Sequence, residues 1–235
     1  MNLAVLGPYF AAEVHAPGSA PGAPWRPMAE LLDDPDVSAG RVDAVRTYLA
    51  SAGQVPAEAI PLRVAASVTH LGLVARTLSP VFASAVLGRP LPPVGLRDLY
   101  WQPTLGSMFA LSMPDRDSGD CDGSGEVIPP SVLELGELMG RFGVSPRVLR
   151  GNVASALNGA CIALSSADPG ATANARAVRA RALSESVLAD AWQVTVEGRF
   201  QRRSCCLIYQ AAPDRKGPLC GDCVLLRPIE PDAES

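Results

Sequence analysis

Four of the chain's six cysteines crowd into nineteen positions, as Cys205, Cys206, Cys220 and Cys223. Their pattern is Cys-Cys, thirteen residues, Cys-x-x-Cys. Four thiolates in so short a stretch suffice for one tetrahedral zinc ion or for both irons of a [2Fe–2S] cluster. The Cys220-x-x-Cys223 half is a turn that can bring two sulfurs onto one metal, and Gly221 lets the chain bend there without a Cβ penalty. The vicinal half discriminates further. Zinc knuckles space their ligands Cys-x₂₋₄-Cys, whereas neighbouring side chains of an extended chain point to opposite sides and reach a common centre only with backbone adjustment. A two-iron cluster is a wider target, so the spacing favours iron–sulfur over zinc. A redox disulfide, or cysteines acting as small buried hydrophobes, are the alternatives.

Those cysteines must be held by something, and the preceding sequence reads as a mainly helical domain. Pro17–Pro24 is a loop. Helical spacing runs over Trp25–Leu32 and Ala39–Ala52, with Gly53 as a stop. Ala57–Leu87 is helical around Pro61 and Pro80, with Val64, Val68, Leu71, Ala75 and Leu78 on one face of a core helix. Leu96–Met113 carries aromatic residues around Gly106-Ser107 and reads as a β-hairpin. Asp115–Gly125 is too polar and glycine-rich to pack and is expected to be a mobile surface loop. Three helices follow, Pro130–Phe142, Pro146–Ser165 and Thr172–Asp190, the middle one capped by Ser145 before Pro146. Ala191–Phe200 alternates at period two and reads as a strand leading into the cysteines. No internal repeat is visible. The expected fold is α+β: a mainly helical domain with a small β-hairpin or sheet and a C-terminal cysteine-rich module.

Composition excludes several function classes. Apolar residues make up 48% of the 235, ample for a core, and the net charge of −4 comes without any basic stripe interleaved with aromatics. Nucleic acid is therefore not expected as a partner. Leu62–Leu87, the greasiest stretch, is broken by Arg63, His70, Arg76 and Pro80, so no membrane span is expected. Met1–Ala12 has neither a positive n-region nor a clear cleavage site, and the protein is read as cytoplasmic. In that reducing compartment, clustered cysteines mean metal or redox chemistry rather than a disulfide framework.

The neighbours of the cysteines add a resemblance. Arg202-Arg203-Ser204-Cys205-Cys206-Leu207 with Tyr209, and Cys220-Gly221-Asp222-Cys223, resemble the C-terminal signature of the FhuF-like ferric-siderophore reductases. Gly151-Asn152-Val153-Ala154-Ser155-Ala156-Leu157 resembles the helix those proteins place before the cluster module. Two features depart from the family pattern: a longer gap, with Pro213–Pro218 as an apparent insertion, and Ile208 and Gln210 where an aromatic and a basic residue are common. The resemblance implies a siderophore-binding domain over residues 1–198, a [2Fe–2S] module over 199–228 and a flexible tail over 229–235. It implies that Cys205, Cys206, Cys220 and Cys223 hold the cluster's irons, and that one electron passes from the cluster to a ferric siderophore. Fe³⁺ prefers hard anionic oxygens far more than Fe²⁺ does, so one electron loosens it.

Arg199, Arg202 and Arg203 are candidates to attract an anionic chelate or an acidic donor, and Trp101 to line the siderophore site, although core packing competes for Trp101 and Tyr100. No glycine-rich dinucleotide fingerprint is present, so electrons are expected from a ferredoxin or flavoprotein. His70 and Cys161 read as core residues, Asn152 as a local hydrogen-bonder, and Cys121 as part of a solvated loop with Asp120 and Asp122. The competing functions are a zinc-stabilised binding module and an electron-transfer protein without reductase activity.

Overall fold

The computed structural model describes residues 3–89, 91, 93–105, 108–115 and 127–226. The expected loop over 115–125, with Cys121, and the expected tail over 229–235 lie outside the described residues, apart from Asp115. Six helices and six short strands are present among the described residues. The helices are α1 (Glu30–Asp33), α2 (Pro35–Gly53), α3 (Leu62–Val86), α4 (Pro130–Gly140), α5 (Pro146–Ala167) and α6 (Thr172–Ser184). The strands are β1 (Glu13–His15), β2 (Arg26–Pro27), β3 (Tyr100–Gln102), β4 (Ala110–Pro114), β5 (Trp192–Val194) and β6 (Phe200–Arg202). The fold is α+β and mainly helical. No helix among the described residues is long and apolar enough to cross a membrane.

Helix α3 is the axis around which α2, α4, α5 and α6 pack. It is buried round most of its circumference, as a mainly apolar helix can be, and its one buried charge, Arg76, is matched by hydrogen bonds. This differs from the expected stripe: Val64 and Leu78 are buried, but Val68, Leu71 and Ala75 are half-buried. The most enclosed side carries small polar residues instead, including Ser67 and His70. Pro80 sits inside the helix rather than ending it. Thr69, Thr77 and Ser79 turn their hydroxyls back onto carbonyls of the preceding turn, so these side chains need no partner from outside.

Four strands form one sheet in the order β1-β4-β3-β2. The β3–β4 pair is the hairpin expected from the aromatic run, with Trp101 opposite Leu111, and β1 joins β4 in parallel. A buried arginine ties this sheet to α3. Arg76 donates through Nε to the Phe109 carbonyl, through one Nη to Tyr9 and through the other to Ala11. Its guanidinium lies 5.7 Å from the Phe109 ring, and burial lowers its pKa to about 10, leaving it charged at neutral pH.

Two element boundaries differ from the sequence reading for legible reasons. Trp25–Leu32 is not one helix: Pro24 and Pro27 withhold backbone donors, so Arg26–Pro27 pairs as an edge strand and only Glu30–Asp33 is helical. Helix α2 starts at Pro35 rather than Ala39, because the Asp34 side chain accepts from the Asp36 N–H at 2.9 Å ahead of a first-turn proline. Ser145 caps α5 as expected, through Val148 N–H. Replacing Arg76 by Met should lower the apparent melting temperature by several degrees or more. It leaves three carbonyls without their donor, each costing about 1–3 kcal/mol if it finds no water. Differential scanning fluorimetry beside a surface control such as Arg141→Met checks this.

Candidate iron–sulfur site

Ala191–Phe200 is not a single strand. Strands β5 and β6 form a hairpin, with Trp192 opposite Arg202, closed by Thr195–Gly198, where Gly198 takes a φ of 78°. Trp192 and Phe200 stack at 5.9 Å, and the Trp192 indole donates to the Leu183 carbonyl at the end of α6. The expected division after residue 198 falls in the turn of this hairpin. Strand β6 delivers the chain to Ser204, Cys205 and Cys206, and a 3-10 turn over Ile208–Ala211 follows. The insertion at Pro213–Pro218 folds back on that turn, with Gly217 N–H donating to the Tyr209 carbonyl at 2.9 Å. It therefore lengthens the sequence gap without carrying the two cysteine pairs apart.

The four sulfurs meet as two pairs. Cys206 Sγ lies 3.2 Å from Cys220 Sγ, and Cys223 Sγ lies 3.7 Å from Cys205 Sγ. All four thiols are free. A tetrahedral metal with bonds of about 2.3 Å to sulfur holds two thiolates about 3.8 Å apart, and a disulfide about 2.05 Å apart, so the Cys205–Cys223 spacing matches metal ligation, while the Cys206–Cys220 contact is closer than a ligated pair and well beyond a disulfide. The pairs cross the sequence: each takes one member of the vicinal Cys205-Cys206 and one of Cys220-x-x-Cys223. The Cys-x-x-Cys turn thus does not bring its own two sulfurs together. The vicinal sulfurs also touch, since Cys206 accepts from the Cys205 thiol as well as from Cys220. Two pairs side by side are the donor set of a two-iron cluster.

Backbone donors point at the same sulfurs. Leu207 N–H lies 3.3 Å from Cys205 Sγ, and Leu225 N–H lies 3.5 Å from Cys223 Sγ. Leu207 adopts φ 72°, ψ −4°, a left-handed conformation that a branched residue takes only when its surroundings demand it, and it turns the chain away just after the vicinal pair. Among the free thiols, Cys206 is the most readily ionised. Hydrogen bonds from the Cys205 and Cys220 thiols pull its pKa far down against burial, with the Ile208 N–H and Arg202 adding to the effect. The bond to Cys206, and then burial, push the Cys205 and Cys220 pKa values up.

Arg202 is the centre of the support. Its side chain is 0% exposed, with the guanidinium 3.1 Å from Asp222 Oδ1, and one Nη donates to Asn152 Oδ1 at 3.3 Å. Burial works against its charge, but Asp222 and the Cys206 and Cys220 sulfurs outweigh that and raise its pKa. Among the described residues its Nε and Nη2 find no oxygen or nitrogen acceptor in hydrogen-bond geometry, although Nη2 is within ion-pair distance of Asp222, and the buried Ser204 hydroxyl finds no partner. A buried guanidinium facing Cys206 and Cys220 in this way fits an anionic, sulfur-rich group, while the Ser204 hydroxyl lies against Gly151 of α5. Asn152 in turn donates to the carbonyl and hydroxyl of Ser67, and the Ser67 hydroxyl donates to the Cys206 carbonyl at 2.8 Å. Helices α3 and α5 therefore hold the loop through one buried chain of hydrogen bonds. Gly151 completes the seat, since a Cβ there would fall 2.1 Å from Ser204 Oγ.

Of the sequence-selected docking residues, Arg199 and Arg203 are exposed, and Arg199 pairs loosely with Glu197 at 3.8 Å. Arg202 and Trp101 are corrected. Arg202 is enclosed beneath the cysteines and cannot reach a docked molecule. Trp101, 1% exposed, lies edge-on to Phe109 with its indole donating to Glu30, so it is a core residue of the β3–β4 sheet. Asn152 is not a local hydrogen-bonder but spans two helices and the cysteine loop. Gly151, Ser204 and Asp222 stand in the segments that carry the resemblance but with no role assigned, and Ser67 has no local signal in the sequence.

Residues 202–225 match the family model described as the FhuF 2Fe-2S C-terminal domain. No curated protein matches the chain. The cofactor is a [2Fe–2S] cluster, and the matched segment contains all four clustered cysteines.

Replacing Gly151 by Ala should reduce bound iron and acid-labile sulfide per chain several-fold, and Ser204→Ala should restore part of it, since only the hydroxyl lies within 3 Å of the added methyl. Iron and sulfide assays on the single and double variants check this. Arg202→Gln should lower the reduction potential, because a buried positive charge beside the sulfurs favours the reduced, more negative state. Potentiometric titration followed by electron paramagnetic resonance measures the shift.

Proposed function

From a FhuF-like chain that ends in a [2Fe–2S] module, we propose a ferric-siderophore reductase, an oxidoreductase that releases iron from its chelate as Fe²⁺. The observation that carries the reading is the exposure pattern of the cysteines. Cys206 and Cys223 are buried, while Cys205 and Cys220, one from each sulfur pair, are half-exposed beside the open Cys-x-x-Cys turn. Cys206 with Cys220 holds one iron in this proposal, and Cys205 with Cys223 the other. A cluster bound there supplies one electron at a time.

The chain's own residues do the rest. Arg202 balances thiolate charge from beneath, and the N–H groups of Leu207 and Leu225 donate to sulfur from the side. Ser67 and Asn152 keep the loop against the helices, so that it does not reorganise with charge. Beside the Cys-x-x-Cys turn lies a cleft of about 420 Å³ lined by Gln193, Thr195, Arg199, Gln201 and Gly221 among others. Its walls also include Glu197, whose loose 3.8 Å pairing with exposed Arg199 an anionic ferric chelate displaces on docking. An electron reaching Fe³⁺ weakens its hold by hard oxygen ligands, and Fe²⁺ leaves. A ferredoxin or flavoprotein returns the electron. In this reading, a helical domain over residues 1–198 is closed by a cluster module at 199–228 and works in the cytoplasm.

The test is single turnover. Anaerobically purified protein should be red-brown and become paramagnetic with dithionite. Mixed with ferric hydroxamate, catecholate or citrate chelates and a ferrous-specific chromophore, the reduced protein should yield about one Fe²⁺ per cluster, and Cys223→Ser should yield none. A reduced protein that keeps its electron against every chelate class is an electron carrier and no reductase. A colourless protein holding one zinc makes it a binding module.

A further inference from the structure

A second cavity lies between α3, α4, α5 and the turn at Ser186–Leu188, apart from the cysteine module. Its volume is about 410 Å³, within the range of about 300–1,000 Å³ typical of small-molecule sites. Its walls are aliphatic, from Ile128, Val132, Leu149, Val153 and Leu188, and Gly136 leaves room where a side chain would stand. Charge is confined to the rim: Arg150 is committed to Asp190 through two hydrogen bonds, and Glu137 faces solvent. An anionic ferric chelate is therefore a poor occupant.

One buried polar atom faces this apolar space. His70 is fully enclosed and lines the cavity, and its Nε2 has no hydrogen-bond partner among the described residues. Burial lowers its pKa to about 4, so the ring is neutral at physiological pH. Its tautomer follows from its neighbours. An arginine only donates, so the Asn152 oxygen must face Arg202, which turns the Asn152 NH₂ toward His70 Nδ1 at 3.4 Å. Nδ1 facing a donor carries no proton, and the proton sits on Nε2. The imidazole thus presents an N–H donor, with no acceptor, to a cavity of hydrocarbon.

We propose that this cavity binds an uncharged, mainly hydrocarbon molecule bearing a carbonyl oxygen, the class of quinones and cyclic ketones, with that oxygen accepting from His70 Nε2–H. The aliphatic walls set the hydrocarbon body, the buried N–H demands one acceptor, and the one cation of the lining, Arg150, is already matched by Asp190 and so does not call for an anion. The site is separate from the reductase reading, yet His70 touches Asn152, which bonds the arginine beneath the cysteines. An occupant thus rests two contacts from the cluster's support.

The experiment is calorimetric titration of the cluster-loaded protein with α-tetralone and with tetralin, which differ in the carbonyl oxygen alone. Tetralone should bind about tenfold more tightly, the worth of one hydrogen bond to an otherwise unpaired buried donor. His70→Phe should abolish the preference while tetralin binding persists, and Gly136→Leu, which fills the cavity from α4, should remove both ligands. Should His70→Phe not fold, the wild-type comparison and Gly136→Leu decide. Equal affinity for the two ligands, no binding of either, a preference surviving in His70→Phe, or binding surviving in Gly136→Leu overturns the proposal.

Discussion

Burying a guanidinium is costly unless its charge is matched and its protons are accepted, and this protein buries Arg202 directly beneath its cysteines. The compensation comes from three directions: Asp222 from within the Cys-x-x-Cys turn, Asn152 from α5, and the sulfurs of Cys206 and Cys220. Removing any one leaves a charge stranded in a low-dielectric interior. The arginine therefore couples the cysteine loop to the helical domain electrostatically, and only a negatively charged set of ligands satisfies it. The backbone agrees, because Arg202 N–H also donates to the Asp222 carbonyl, fixing the second cysteine pair against β6.

The polar lining of α3 and α5 follows from this demand. An ordinary helix–helix contact would be aliphatic at Ser67, Gly151 and Asn152. Here Ser67 gives its proton to the Cys206 carbonyl and accepts from Asn152, whose remaining capacity goes to Arg202 and His70. Gly151 supplies the space that lets Ser204 approach. One Asn152 N–H is shared between the Ser67 carbonyl and hydroxyl and the other faces His70, so Ser67 and Asn152 are both held on more than one side. Holding the sulfurs still through such a chain limits reorganisation when charge arrives or leaves, which matters to a one-electron centre more than tight packing alone.

The four cysteines and the α+β class could be read from sequence because their signals are local. A vicinal pair followed by Cys-x-x-Cys is written in nineteen consecutive positions, and the long helices announce themselves by period and by caps such as Ser145-Pro146. The crossed pairing of sulfurs could not be read, because it depends on the left-handed turn at Leu207 and on the fold-back at Gly217. The support was hidden for a different reason. Ser67 meets Cys206 across 139 positions and Asn152 meets Ser67 across 85, and no local pattern distinguishes such a serine from one bonding its own helix, as Ser79 does. Arg202 and Arg203 are the sharpest case: adjacent and identical in type, one is enclosed and the other exposed, a difference set by strand alternation in β6.

Helix α5 divides its flanks between the cysteine module and the cavity. Residues of β6 that face inward meet α5 at Gly151 and Asn152, while the hydrocarbon cavity opens on the other flank of α5, at Leu149 and Val153. One helix thus presents polar, close-packed residues to the cysteines and an aliphatic wall to the cavity, with Asn152 between them. His70 sits where the two flanks meet, its Nδ1 committed to Asn152 and its Nε2 to the cavity. A neutral imidazole in that position can change what it offers one side only through what it receives from the other, so any occupant of the cavity acts on the hydrogen bonding that seats Arg202.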